Sequence, residues 1–75
     1  MIIEIATLAR PAFLRLSKDL RRAISARAQE IACGNTQGAM NHGGGIFSFG
    51  VSGGIVVYVS VQTGPRVTIE HIIGR

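Results

Sequence analysis

Cysteine occurs once in this 75-residue chain, at Cys33, so no disulfide can form within it. A lone thiol fits a reducing cytoplasm better than a secreted scaffold. Near a helix end, Cys33 reads as a small apolar residue rather than a nucleophile. Long hydrophobic runs are also missing, since nothing approaches the roughly 18 to 20 apolar residues that span a bilayer. The most apolar stretch, Ile55-Val56-Val57-Tyr58-Val59, is short and β-branched, as a buried strand is. Met1-Ile2-Ile3-Glu4-Ile5 carries no basic leader, so no signal peptide and a cytoplasmic location are expected. Cys33, His42 and His71 have no metal-ligand spacing, and no metal is expected. Gly43-Gly44-Gly45 lacks the Gly-Lys-Ser/Thr and following helix of a phosphate cradle, so no cofactor is expected either. No internal repeat or low-complexity segment is present.

Acidic residues are scarce: four, against eight basic ones, for a net charge of +4. The positive charge is concentrated. Arg10, Arg15, Lys18, Arg21, Arg22 and Arg27 fall in one stretch, offset only by Asp19 and Glu30. Such a field favours an acidic partner, whether RNA, DNA or an acidic protein segment, or simply solvates one face of a small protein. The length fits one domain, 1–75. A chain this short buries only roughly 60% of the surface its unfolded form exposes, so a partner surface, including a second copy, would help it.

The periodicity predicts an α+β fold. Residues 1–6 read as a strand with Ile3 and Ile5 on one face and Glu4 on the other. Between residues 8 and 32 the period lengthens: Phe13, Leu16, Leu20, Ile24, Ala28 and Ile31 form one apolar helical face, which makes Leu20 a core position. Arg15, Lys18, Arg21 and Arg22 lie opposite it. Arg27 falls among the apolar positions and must sit at the packing edge or pair with an acid. Pro11 suits a first helical turn. Ser17 can cap a second helix with Asp19 in its first turn, so the segment is one bent helix or a short helix followed by a longer one. Gly34 closes it.

Residues 34–45 read as a polar, glycine-rich loop that gives a flexible approach to the next strand. Three strands follow, at 46–51, 55–61 and 67–73. Phe47, Phe49 and Val51 share one face of the first, with Ser48 and Gly50 on the other. Ser52-Gly53-Gly54 supplies a hairpin turn, and Thr63-Gly64-Pro65 turns the chain again. On the last strand, simple alternation puts His71 on the buried side with Val67, Ile69 and Ile73, and Glu70 on the outer side with Tyr58, which argues against an acid–base pair.

The order β-α-β-β-β resembles the RelE/ParE family of bacterial toxins from toxin–antitoxin pairs, over nearly the whole chain. The stretch from Ala12 to Ile24 is similar to that family's basic helical hairpin. Val51 to Val59 is similar to its central hairpin, ending in an apolar-Tyr strand, and Val67 to Arg75 to its last strand. The resemblance implies a small RelE-like domain, an antiparallel meander with the helical segment on one face. It also implies a cognate antitoxin as partner.

The sequence departs from the pattern of the ribonuclease members. Ser48, Gly50 and Ile55 stand where those members carry cations, Gly74 replaces one of a terminal basic pair, and Arg75 is the one family-matched catalytic candidate. RNA cleavage through the 2′-hydroxyl needs groups that move protons and cations that stabilise the developing charge. The expectation is therefore a catalytically degenerate member that binds an antitoxin or a cellular target, with nucleic acid or a ribosome as further possible partners. Arg15, Lys18, Arg21 and Arg22 are the expected binding residues. The ParE-like branch, which binds DNA gyrase, fits the missing cations but usually has a longer helical hairpin. A non-catalytic phage- or plasmid-borne inhibitor is the alternative.

Overall fold

The computed structural model describes residues 2–63 and 66–74. Arg75 and most of the Thr63-Gly64-Pro65 turn lie outside the described residues. The elements are β1 (Ile2–Ile5), α1 (Arg10–Arg15), α2 (Lys18–Ala32), β2 (Met40–Gly43), β3 (Ile46–Val51), β4 (Ile55–Gln62) and β5 (Arg66–Ile73). The strands form one sheet in the order β1-β5-β4-β3-β2, with β1 parallel to β5 and the other pairs antiparallel. Both helices cover one face of this sheet, which is the α+β arrangement expected.

The helical segment is a short helix followed by a longer one. Pro11 starts α1, and the backbone turns extended at Leu16 (ψ 155°). Ser17 then caps α2 by accepting a hydrogen bond from the Leu20 N–H at 3.2 Å, so the longer helix starts afresh with Asp19 in its first turn. Its far end closes on Gly34 at φ +96°, with the Asn35 N–H returning to the Glu30 carbonyl at 2.9 Å.

Ile24, Ala28 and Ile31 of α2 press on Val57, Val59, Val67 and Ile69, and Phe13, Phe49 and Ala9 complete the core. Leu20 departs from expectation. It is only half-buried and lies outside the set of side chains packed on the core, whereas Leu16, in the extended break, belongs to that set. Leu20 keeps the phase of Ile24, Ala28 and Ile31 but lies in the first turn of α2, one turn ahead of the residues that α2 buries.

Arg27 takes the second option the sequence left it. Its guanidinium pairs with Glu30 at 3.1 Å and donates to the carbonyls of Asn35, at 3.0 Å, and Gln37. It thereby ties the loop after α2 to the helix.

The segment read as a loop up to Gly45 contains a further strand, β2, so the meander has four strands rather than three. Gly44 (φ +63°) and Gly45 (φ +80°) form the two-residue connection to β3, and such a turn needs positive φ at both positions. The glycine run is therefore a hairpin turn rather than a flexible approach.

Two outcomes check this packing. Ile24→Ala should cost about 2 to 5 kcal/mol, and Leu20→Ala about 1 kcal/mol or less; equal losses in chemical denaturation would contradict the helix phase described here. Gly45→Ala should destabilise clearly more than Gly44→Ala. Both strain a positive φ, but only at Gly45 would the added Cβ lie 2.8 Å from a backbone oxygen, that of Val61. Equal effects would contradict that close approach.

Candidate functional site

Two surfaces carry the polar and charged chemistry, one on each side of the sheet. On the helical side, Lys18, Arg21 and Arg22 line an open groove of about 580 Å³ together with Phe13, Ser25, Ala26 and Gln29. Positions 18, 21, 22, 25 and 29 of α2 share one stripe because they are spaced at threes and fours. Arg15 is exposed at the end of α1 and does not line the groove. The ion pairs among the described residues are Arg27–Glu30 and Arg66–Glu4, so none of the four expected binding residues is neutralised by one of these. Three of the four are therefore brought together and Arg15 stands apart.

The other surface is the face of the sheet away from the helices. The register assigns it: Ser48 lies opposite Tyr58, Ile46 and Thr68 flank Ser60, and Gly50 and Ile73 flank Val56. Two β-bulges interrupt the alternation. One lies between Asn41 and Gly43 and adds His42 to β2; the other adds Glu70 to β5, where Tyr58 pairs with His71 but Val59 pairs with Ile69. A bulge re-aims the side chains beside it. His42 shares a hydrogen bond between its Nε2 and the Ser48 Oγ at 2.8 Å, and its ring lies 5.3 Å from that of Tyr58, tilted by 32°. On the other flank the Ser60 hydroxyl donates to the Glu70 carboxylate at 2.7 Å.

This corrects the reading of the last strand. His71 is exposed opposite Tyr58 rather than buried with Val67 and Ile69, and the residue from this end that packs on the core is Ile72, opposite Val57. Glu70 and His71 do not point to opposite sides, because the extra residue cancels one step of the alternation. Ser48 is buried rather than open, at 7% exposure. Ile55, one of the positions compared with family cations, packs against the core. Arg75 lies outside the described residues.

The outer face holds groups that can move protons, namely two imidazoles, a phenol and two carboxylates. It is poor in positive charge: among the described residues its one cation is Arg66, which pairs with Glu4 at 3.4 Å. No set of three or more His, Cys, Asp or Glu side chains could hold a metal ion among the described residues. No helix among them is long and apolar enough to cross a membrane.

No protein-family model and no curated protein matches this sequence. Solved structures do match. A chain of the intact E. coli RelBE toxin–antitoxin complex superposes with a TM-score of 0.74 at 10% identity, covering 99% of this chain and 95% of that one. The isolated E. coli RelE toxin superposes with a TM-score of 0.72 at 12% identity, covering 95% of this chain and 80% of that one. The chain therefore has the RelE fold, the fold that the resemblance in its sequence implies.

The bulge assignments can be tested by substitution. Ser48→Ala should cost about 1 kcal/mol through its lost hydrogen bond and should shift the His42 ring resonances. His71→Ala should change stability by less than about 0.5 kcal/mol. A large loss at His71, with none at Ser48, would place the two side chains the other way round.

Proposed function

We propose that this chain is a RelE-like toxin, or a protein derived from one, that acts by binding a protein partner rather than by efficient RNA cleavage. The partner is a cognate antitoxin or a cellular target, and the site of action is the cytoplasm. One observation carries the reading: the cations around the α2 groove have no ion-pair partner among the described residues, while the outer sheet face has only Arg66, paired with Glu4. Among the described residues, a phosphodiester on the outer face would meet proton-transfer groups and one paired cation, Arg66, rather than the preorganised positive charge that a phosphorane-like transition state requires. The α2 stripe offers the opposite combination. An apolar floor at Phe13 and Ala26 runs between Lys18, Arg21 and Arg22, which suits an amphipathic helix with an acidic edge. The structural neighbour described above is part of a toxin–antitoxin complex, which supports a protein partner of this kind.

A phage- or plasmid-borne inhibitor is the second reading, favoured by the same lack of cations around Ser48 and Gly50. Such a protein would use the same groove against an acidic or nucleic-acid-binding surface of a host complex. Expression without a partner separates the two: growth arrest without RNA cuts supports the toxin, and normal growth supports the inhibitor.

The binding test begins with a partner identified by pull-down from the native host and proceeds by titration. Affinity should fall about tenfold or more between low and physiological salt, because the contacts are charged and solvent-accessible. Arg21→Glu combined with Arg22→Glu should weaken binding by a similar factor while leaving thermal stability nearly unchanged. Salt-independent binding that survives the double reversal would return these residues to the role of solvated charge.

A further inference from the structure

We infer that the outer face of the sheet is a self-association surface, on which a second copy of this chain packs sheet to sheet. Among the described residues seven large apolar side chains are exposed, and five of them (Ile2, Met40, Ile46, Val56 and Ile73) project from this face by the strand register. The other two, Leu8 and Leu14, belong to the helical side. Concentration of apolar surface on one open face marks an interaction site. The surface lies on the opposite side of the molecule from the α2 groove, so the inference stands whether or not that groove binds a partner.

Three arguments select a second copy as the occupant. The first is charge. The chain carries a net +4, and among the described residues every cation without an acidic partner lies in the helical layer or on the segment leading into it. Sheet-to-sheet packing sets two sheets about 10 Å apart and leaves the helical layers on the outside. The two cationic surfaces are then separated by roughly 30 Å, several times the screening length of about 8 Å at physiological salt. Any approach through the helices would bring like charges together.

The second argument is self-complementarity. In a two-fold interface residue i meets residue j and j meets i, so every polar group must find its partner within the same patch. Tyr58 and His71 can each both donate and accept hydrogen bonds and so serve either role in such a pair, whereas a lysine or arginine can only donate. The charged groups on this face are already engaged, Glu4 with Arg66 and Glu70 with Ser60.

The third is area. The largest principal extents of the chain are 29 and 23 Å. An elliptical footprint of that size is roughly 500 Å² per copy, or about 1,000 Å² in total, which reaches the lower bound of specific interfaces. The dimer is accordingly a weak one.

Sedimentation velocity from about 1 μM to 1 mM, the range over which interfaces of this size associate, should show a reversible monomer–dimer equilibrium. Raising salt should leave it unchanged or strengthen it. Dilution of the unaltered protein should move the amide resonances of Val56, Tyr58, Ser60 and His71 and leave those of α2 in place. Ile46→Glu and Ile73→Glu should each weaken association at least tenfold, and Leu14→Glu should leave it as it is. Because the dilution shifts use the unaltered chain, they do not depend on the folding of any variant. Monomers throughout the range would overturn the inference. So would dilution shifts confined to α2, or association that Leu14→Glu abolishes and the two sheet variants do not.

Discussion

The rest of the structure depends on the alternation of β4. Val57 and Val59 are fully buried beneath α2, while Tyr58 and Ser60, one step away, face out. Because β4 is the middle strand of the sheet, this choice propagates to β3 through Phe49 and Phe47 and to β5 through Ile72 and Ile69. A slip of one residue would expose the valines and bury Tyr58, so the hydrophobic pattern fixes the register strongly. The two bulges alter the alternation only at His42, on the edge strand β2, and at Glu70, on β5 beside the central strand, and leave the phase of β4 intact.

Much of the fold was legible in the sequence, for identifiable reasons. The helical period, the Ser17 cap, the Gly34 end, the alternation in 46–51 and the apolar run of 55–61 are local signals, and local hydrogen bonding realises them. Arg27 was legible as a misfit, and its ties to Glu30, Asn35 and Gln37 account for it. Strand β2 was not legible. It is four exposed residues, Met40-Asn41-His42-Gly43, with no apolar alternation, and it exists because β3 presents an unpaired edge and the Gly44-Gly45 turn returns the chain to it. A bulge leaves no trace in a hydrophobic pattern read two residues at a time, so His71 appeared buried and Glu70 appeared to oppose it. Leu20 was misplaced because a helical wheel gives a residue's phase but not how far along the helix the packing extends, and Leu20 lies in the first turn of α2. Of the expected binding residues, Lys18, Arg21 and Arg22 converge because they follow the helical period along α2, while Arg15 belongs to the other helix.

The result is a molecule whose unpaired cations, among the described residues, lie on the helical side and whose imidazoles and hydroxyls lie on the sheet side. The helices carry cations around a groove with an apolar floor. The sheet carries imidazoles, hydroxyls and apolar side chains with almost no positive field. Under the proposed function this division favours gripping an acidic protein segment over holding a scissile phosphate, because among the described residues the outer face offers only Arg66, already paired with Glu4.

The central claim is that the outer sheet face does not cleave RNA at a useful rate. The most direct measurement is incubation of the purified protein with a translated mRNA on ribosomes, and with the naked RNA, followed by mapping of 5′ ends. The account predicts no discrete cuts in either case, and the same result for the Tyr58→Phe and His71→Ala variants. Specific cuts that disappear in those variants would contradict it and would show that the groups flanking β4 complete an active site without the cations that such chemistry is expected to need.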